Sequence, residues 1–474
     1  MKQFSLVRVG ALIFSLLTSF RSATVAAEDD CGSAEPFKNG DTVCFVGDSI
    51  TRGGNYLSYI NFFYATRFPD RKVRVWNCGV GGDTSGNIVS NEAFRLNADI
   101  LSHRPTVATI MLGMNDIGHR DYGPDQSGLE VEKRRQHSLE MYDQNMRKLI
   151  GALQQSGVRL ILITPSIYDE TTKLEKAKPN VGVGRSAALA ACAEKVRQWA
   201  AEYHAGLVKF QEVMNAVTAR EQAKDSAFTV VGPDRVHPGA VGHLIMAYTF
   251  LKAQGMPREV ASIAIDARKS DAADAANCKI TEVKATAGGI EFDCLEKALP
   301  FVPTQEAQPA FALIPFERDL NQEQLTVAAL EPGRYELRID GKTVGEYTSE
   351  ELQNGINLAQ NERTPQHRQS AAAAKINYDL AQAAGHLRVI VEQYYTLFRR
   401  KVDLADRAAV EKGLAERFAE EKAAGKPLDP IAEKLLRDPE TPARLDAKFH
   451  ELTAALAKAC QPQQHHFALR RKDI

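Results

Sequence analysis

The chain has 474 residues, of which 44% are hydrophobic and 25% are charged, and its formal net charge is -1. This composition is typical of globular proteins, and the length indicates two or three domains rather than one. The near-neutral charge provides no field that would attract nucleic acid or an anionic membrane, so neither is expected as a partner.

The first residues have the pattern of a cleaved export signal. Lys2 and Arg8 precede the apolar run "VGALIFSLLTSF", and "SATVAA" supplies small residues before Glu28. The apolar run is too short to span a bilayer comfortably, so no stable membrane anchor is expected. The sequence therefore predicts a signal peptide over residues 1–27, cleavage after Ala27, and a secreted or periplasmic protein.

Five short apolar runs in the first half predict strands that are buried on both faces of a parallel sheet. These runs are "TVCFV" (42–46), "VRVWNC" (73–78), "TVATIML" (106–112), "VRLILIT" (158–164) and "LVKF" (207–210). The segments between them carry apolar residues at helical spacing. This alternation predicts an α/β three-layer sandwich with a parallel five-stranded sheet over residues 38–257.

The pattern changes in the second half of the chain. Residues 277–350 alternate with period two and include a hairpin turn at Asp340-Gly341, which predicts a small β-rich module. Residues 370–460 are rich in Ala, Glu, Lys and Arg at helical spacing, which predicts a helical appendage. The polar stretch "QNERTPQHRQS" (360–370) is predicted to be a linker, with an approach to the active site as the alternative.

The cysteines favour one disulfide, and no metal motif is present. Cys278 and Cys294 bracket two short predicted strands around Gly288-Gly289, so their ends should meet, and export would permit a disulfide between them. The sequence has no Cys-x-x-Cys pair and no His-Glu-x-x-His motif. Neither a metal nor another cofactor is therefore predicted.

Polar residues follow the predicted strands at the edge where loops of an open α/β sheet converge. Ser49 lies in "GDSIT" after the first strand, and Gly82 lies in "NCGVGGDTS" after the second. Asn115 follows the third strand in "LGMND". Asp234 and His237 lie in "DRVHP", ahead of the last predicted helix of this domain.

These residue types fit nucleophilic catalysis on a carbonyl. The Ser49 hydroxyl needs an imidazole to take its proton, and Asp234 is placed to hold the ring of His237 in one tautomer. The oxyanion formed by attack needs aligned donors, which the Ser49 N–H, the Gly82 N–H and the Asn115 amide could supply. Each motif alone is typical of a turn or a helix cap, but their combination predicts a serine nucleophile.

The four motifs resemble those of the SGNH (GDSL-type) hydrolases, with Ile50 where that family more usually has leucine. The resemblance covers about residues 41–250 and implies a flavodoxin-like sheet and the same roles for the five residues. Gly79 and Gly81 are neighbouring alternatives to Gly82. Nothing is implied for residues 260–474, and the substrate stays open, because this family cleaves esters of lipids, thioesters, acetylated sugars and aryl groups.

The predicted rim of the site favours a hydrophilic substrate. The segments 119–137 and 169–185 are strongly polar, whereas a lipase would be expected to show an apolar lid or groove. We therefore expect an ester of a carbohydrate, as a small molecule or a polysaccharide, carrying acetyl or other short acyl groups. The oligomeric state is not predicted.

Three other functions remain alternatives on the sequence. A lipase, lysophospholipase or thioesterase would use the same residues, and a non-catalytic carbohydrate-binding module could keep the fold without turnover. A metal-dependent phosphoesterase would need clustered carboxylates and histidines. No such spacing is shown by His119, His137, His204 and His243.

Overall fold

The computed structural model describes residues 30–472 except 124, 180–181, 270 and 287. The predicted signal peptide, residues 1–27, lies outside the described residues. Within the described part, no helix combines the length and the apolar character needed to cross a membrane.

The first half of the chain forms a six-stranded, mainly parallel sheet. Its strands are β1 (Gly32–Ser33), β2 (Thr42–Gly47), β3 (Arg74–Gly79), β4 (Val107–Met111), β5 (Arg159–Ile163) and β6 (Gly206–Val208). Their order is β1-β6-β5-β4-β2-β3, and only the two-residue β1 runs antiparallel to its neighbour. The five predicted parallel strands are confirmed, and their order is that of flavodoxin-like folds.

Two groups of helices cover this sheet. The helices are α1 (Ser49–Gly53), α2 (Asn55–Arg67), α3 (Ser85–Ser90), α4 (Leu129–Gln155), α5 (Arg185–Glu202), α6 (Phe210–Gln222) and α7 (Ala240–Ala253). A π-helix (Ala93–Ile100) and two 3-10 helices (Leu101–His103 and His119–Tyr122) complete this part. Helix α7 packs on α2 and α6, whereas α4 packs on α3 and α5. Every residue of β2 is buried, as expected for the middle layer of an α/β sandwich.

The β-rich part is a pair of packed sheets. Its strands are β7 (Glu259–Asp266), β8 (Asp271–Ala276), β9 (Cys278–Thr286), β10 (Gly289–Glu296), β11 (Gln322–Ala328), β12 (Arg334–Ile339), β13 (Lys342–Thr348), β14 (Ile356–Asn357) and β15 (Gln464–Arg471). The sheets are β13-β12-β15-β10-β9 and β14-β11-β7-β8, and their apolar faces share one core. Three short helices lie between these strands, namely a 3-10 helix (Gln308–Ala312), α8 (Phe316–Leu320) and α9 (Ser349–Asn354).

The sheets extend beyond the range expected from the sequence. Their strands begin at Glu259 instead of near residue 277, and β15 returns from the far side of the helical region. The expected hairpin between β12 and β13 is present, with φ of 50° at Asp340 and 75° at Gly341, as a type I′ turn requires.

The predicted disulfide between Cys278 and Cys294 is not formed. In the β9–β10 ladder Cys278 lies opposite Glu296 and Cys294 lies opposite Ile280, so the two cysteines are diagonal neighbours. Diagonal Cα atoms are about 7–8 Å apart, wider than the roughly 4.4–6.8 Å that a disulfide spans. The Cys278 thiol instead donates to the Ser262 carbonyl at 3.3 Å, and the seven cysteines, all buried, form no disulfide within the described residues.

Four further helices form the C-terminal helical part. They are α10 (Pro365–Arg399), α11 (Arg407–Ala423), α12 (Pro430–Arg437) and α13 (Thr441–Ala459). The segment 360–370, predicted to be a linker, is largely the start of α10: the Thr364 hydroxyl caps it by accepting the His367 N–H at 3.2 Å, and Pro365 occupies its first position. Helix α10 packs on α13 and also on α1, α2 and β3 of the central domain.

A buried ion network joins α10 to the central domain. Arg388 donates to both oxygens of Asp99 at 2.5 and 3.1 Å and to the Gly79 carbonyl at 3.1 Å. Arg95 pairs with Asp99 and, at 2.9 Å, with Asp83. All four charged side chains are buried, and burial lowers the pKa of both arginines. Removing one member therefore leaves an uncompensated charge in the interior.

We expect Arg388→Met to lower the free energy of unfolding by about 3–5 kcal/mol, because Asp99 then keeps only one of its two cationic partners. Urea unfolding of the purified chain measures this. The matched control is Arg400→Met beside the end of α10, where Arg400 is 40% exposed and pairs with the exposed Glu420. That change should cost less than about 1 kcal/mol, and equal effects of the two substitutions would contradict the network's role.

Candidate active site

Ser49 lies where strand β2 passes directly into helix α1. The Asp48 side chain caps this helix by accepting the Ile50 N–H at 2.9 Å, which makes Ser49 its first residue. A residue in that position has a backbone N–H without a partner inside the helix. The Ser49 Oγ lies 2.7 Å from Nε2 of His237.

His237 is held by Asp234 from the same loop. Its Nδ1 lies 2.5 Å from Oδ2 of Asp234, while Oδ1 accepts the N–H groups of Val236 and His237, each at 3.0 Å. Partial burial acts to raise the pKa of the Asp234 carboxyl, but these hydrogen bonds outweigh it and hold that pKa below its ordinary value. The carboxylate thus assigns the proton to Nδ1 and leaves Nε2 free to accept from Ser49.

The glycine segment after β3 presents one unpaired N–H. The Gly79 N–H donates to Oδ1 of Asn77 at 2.9 Å, and the Gly81 N–H donates to Oε1 of Glu392 at 3.0 Å. The Gly82 N–H makes no hydrogen bond within the described ranges, and Gly82 has a φ of 71°, which favours glycine. Of the three glycines considered from the sequence, Gly82 is therefore the one whose N–H is available.

The Asn115 amide is oriented from both ends. Its Nδ2 donates to the Asp83 carbonyl at 3.0 Å, and its Oδ1 lies 3.2 Å from Nε2 of His119. Burial lowers the pKa of His119 to about 4, so the ring is neutral near pH 7 and donates from Nε2. The second N–H of the Asn115 amide has no partner in the described part of the chain and is available to a ligand. The sequence predicted no role for His119, whose only signal is its place four residues after Asn115.

Strand register brings these groups to one edge of the sheet. Gly47 at the end of β2 pairs with Gly79 of β3 and with Met111 of β4. The Val80 N–H donates to the Gly47 carbonyl at 3.1 Å, which ties the glycine segment to the turn before Ser49. A Cβ on Gly79 would lie 2.3 Å from the Arg52 backbone nitrogen, so glycine is required where β3 passes under α1.

The two predicted rim segments contact the site loops directly. Arg235 follows Asp234 in the sequence and is buried. It donates to the carbonyls of Asp169 and Lys178, each at 2.8 Å. Arg185 donates to the His119 carbonyl at 2.9 Å. Both segments thus border the loops that carry His237 and Asn115. The His237 side chain is 48% exposed, so the site is open to solvent.

One group of side chains has the types and spacing of metal ligands. Atoms of Cys78, Asp99 and His103 lie within 4.8 Å of one another. Both oxygens of Asp99, however, are already bonded to the guanidinium groups of Arg95 and Arg388. Two buried cations at this position oppose a third, so these residues do not fit a metal site.

A serine hydroxyl bonded to an oriented histidine, beside free N–H donors on an α/β sheet, defines the class of serine hydrolases. The sequence model of the GDSL-like Lipase/Acylhydrolase family matches residues 45–245, and this domain belongs to that family. The domain that contains residues 45–245 is thus an ester hydrolase of the GDSL-like, or SGNH, family, as the motifs predicted.

Two relatives differ in how much of the chain they match. An acetylxylan esterase of Geobacillus stearothermophilus is 26% identical over 46% of this chain and 95% of its own length. The solved structure of a gut microbial diltiazem-metabolizing enzyme is 29% identical, with a TM-score of 0.83 over 93% of this chain and all of that one. The second likeness therefore extends to the β-rich and helical parts.

Asp48, next to the nucleophile candidate, is a buried carboxyl with few compensating partners. Its burial raises its pKa from 3.8 to about 7; the Ile50 N–H and the charge of His237 oppose this rise, while the nearby carboxylates Asp116 and Asp83 add to it. Because the pKa is higher in the folded state, the stability that this group contributes is complete below its ordinary pKa and is lost as the pH rises towards about 7.

We expect Asp48→Asn to be more stable than wild type near pH 8, by on the order of 3 kcal/mol, because the amide caps α1 without a charge. The advantage should shrink as the pH falls towards 5. Thermal unfolding between pH 5 and 8.5 measures it, with Asp429→Asn at the exposed cap of α12 as the control. A stability difference that does not change with pH would contradict the account of Asp48.

Proposed function

We propose that this esterase hydrolyses its substrate through a covalent intermediate on Ser49, with His237 as general base and acid and Asp234 as its orienting partner. The observation that carries the proposal is the continuous hydrogen-bonded chain from Ser49 Oγ to His237 Nε2 at 2.7 Å and from Nδ1 to Asp234 at 2.5 Å. A hydroxyl, an imidazole and a carboxylate in this order activate the hydroxyl at neutral pH.

The reaction proceeds in two balanced steps. As Ser49 Oγ bonds to the carbonyl carbon, its proton passes to His237 Nε2, and the same proton then leaves with the alcohol as the ester C–O bond breaks. Water next attacks the acyl-enzyme and gives a proton to His237. That proton returns to Ser49 Oγ as the carboxylic acid departs.

Three donors support the tetrahedral oxyanion in this proposal. The backbone N–H groups of Ser49 and Gly82 and the free N–H of the Asn115 amide belong to three neighbouring turns of the sheet. His119 and the Asp83 carbonyl hold the Asn115 amide, so its donor is aimed before substrate arrives. A donor that needs no reorganisation during the reaction contributes more to catalysis than a mobile one.

We further propose acetyl or other short acyl esters of carbohydrates as the substrate class. The open site and its polar borders support this class. Of the large apolar side chains that are exposed in the described residues, only Leu129 and Val183 lie on the two rim segments. The likeness to an acetylxylan esterase points the same way. The leader-like residues 1–27 support a further proposal, that the enzyme acts after export.

A second candidate substrate class is a small, non-carbohydrate ester. The likeness to a diltiazem-metabolizing enzyme supports it, because that likeness covers 93% of this chain with a TM-score of 0.83. For either candidate the acyl group would pass to Ser49 and the alcohol would leave. A lipase or thioesterase role has no comparable support from the borders of the site.

We expect Ser49→Ala to abolish hydrolysis of p-nitrophenyl acetate without a change in thermal unfolding. Asn115→Ala should retain the nucleophile but lose about 100-fold or more in kcat, the usual cost of one oxyanion donor. Steady-state kinetics at pH 8 measure both, and EDTA should leave the wild-type rate unchanged. Wild-type turnover by Ser49→Ala would contradict the mechanism, and loss of activity in EDTA with recovery in zinc would favour a metal enzyme.

The substrate proposal can be tested with matched acyl chains. We expect acetate release from acetylated xylan or xylo-oligosaccharides, and p-nitrophenyl ester hydrolysis that falls as the acyl chain grows from two to eight carbons. Hydrolysis of diltiazem, assayed in parallel, tests the second candidate class, a small non-carbohydrate ester. A preference for long chains with no acetate released from any sugar would favour a lipase, and binding to acetylated sugar without turnover would favour a binding module.

A further inference from the structure

Helix α10 of the C-terminal part places a carboxylate between two segments of the active site. Glu392 accepts the Gly81 N–H through Oε1 at 3.0 Å, and its Oε2 accepts from Nε and Nη2 of Arg52 at 3.3 and 3.1 Å. Arg52 lies three residues after Ser49 on α1, and Gly81 directly precedes Gly82. One side chain therefore joins the two turns that carry the backbone oxyanion donors.

We propose that Glu392 is a positioning residue for the esterase reaction: it fixes the Gly82 N–H relative to the Ser49 N–H, so that both point to the same oxyanion. This inference rests on the function proposed above. It makes the C-terminal part a component of the active site, although the match to the family model ends at residue 245.

The geometry of the glycine segment explains why it needs such a partner. Within this segment the Val80 N–H bonds to the Gly47 carbonyl and the Asp83 N–H bonds to the Val80 carbonyl. Among the residues that the structure describes, Glu392 is the one partner of the Gly81 N–H, and a Cβ on Gly82 would meet nothing within 4 Å. Without Glu392, the two consecutive glycines could rotate and carry the Gly82 donor away from its place.

The same helix holds the other end of the segment. Arg388, one turn before Glu392, donates to the Gly79 carbonyl at 3.1 Å while its other nitrogens bind the buried Asp99. Arg388 and Glu392, four residues apart on α10, thus hydrogen-bond to the two ends of the segment Gly79 to Gly81. Tyr395, one turn further on, stacks on Phe94 with ring centroids 5.4 Å apart and packs beside Val80.

Charge also explains why Arg52 is part of the arrangement. An unpaired carboxylate close to the oxyanion would oppose the negative charge that develops during attack. The Arg52 guanidinium offsets the charge of Glu392, so the pair supplies an acceptor for Gly81 without that penalty. The pair is partly shielded, with side-chain exposures of 38% for Arg52 and 22% for Glu392.

The test compares variants of the full-length protein on p-nitrophenyl acetate. We expect Glu392→Ala to lower kcat by about 10- to 100-fold with little change in KM, because a misplaced donor costs transition-state stabilisation rather than substrate binding. Glu392→Gln should recover part of kcat, since its amide oxygen still accepts the Gly81 N–H whereas its NH2 group cannot accept from Arg52. The control is Glu420→Ala on α11, which loses an exposed ion pair to Arg400.

A second measurement reports on the oxyanion directly. A phenylboronic acid forms a tetrahedral anionic adduct with an active serine, so its inhibition constant should rise in Glu392→Ala by a factor similar to the fall in kcat. It should stay unchanged in Glu420→Ala. If Glu392→Ala unfolds at a lower temperature than the control, Glu392→Asp replaces it, because the shorter side chain keeps the charge but cannot bridge both partners.

The outcomes separate this inference from the proposed function. Wild-type activity that persists in Ser49→Ala would overturn the proposed function and this inference with it. Ser49-dependent activity with normal kcat and normal boronate inhibition in the Glu392 variants would overturn the role of Glu392 alone. A rise in KM at constant kcat, or no recovery in Glu392→Gln, would also overturn it.

Discussion

The register of three parallel strands is the constraint on which the site depends. Gly47, Gly79 and Met111 stand side by side across β2, β3 and β4, so the turns that follow them open at one edge of the sheet. Helix α1 starts immediately after β2 and crosses the end of β3 at a distance that only glycine at position 79 allows. A slip of one residue in either ladder would separate Ser49 from the glycine segment and from Asn115.

The C-terminal helices complete this edge from outside. Arg388 of α10 bonds to the buried Asp99 of the π-helix and to the Gly79 carbonyl at the end of β3. Glu392 follows one turn later and contacts the turns of the site. The cost of burying these charges is offset by pairing and hydrogen bonds, which depend on geometry more strictly than apolar contacts do. Such an interface sets one orientation of the helix. The structural neighbour with a TM-score of 0.83 matches 93% of the chain, so the same overall arrangement occurs there.

Local patterns in the sequence were sufficient for the central domain. The five parallel strands are recognisable in the sequence as apolar runs because they are buried between two layers of helices. The candidate site residues follow the ends of these strands or lie in the loop ahead of the last helix. The His119 contact to Asn115 and the Arg388 contact to Asp99 could not be read in this way. A histidine in a polar loop and an arginine on a helix look like solvent-facing residues until their partners are known.

Long-range pairing limited the prediction of the second half. Strand β15 lies between β10 and β12, and no local pattern indicates that a strand will return across the whole helical region. The Cys278–Cys294 expectation failed because the ladder register, set by the bulge in β9–β10, places the cysteines diagonally. The stretch 360–370 was predicted to be a linker because it is polar and charged. The helix start that Thr364 caps was therefore not recognised.

The central claim is that Ser49 is the activated nucleophile of this assembly, and covalent labelling tests it most directly. A fluorophosphonate transfers its phosphonyl group to an activated serine with loss of fluoride. Intact mass and peptide mapping should find one adduct per chain, on Ser49, with activity lost in proportion and no adduct in His237→Ala. Continued ester hydrolysis without an adduct, or inactivation by an adduct on another residue, would contradict the account.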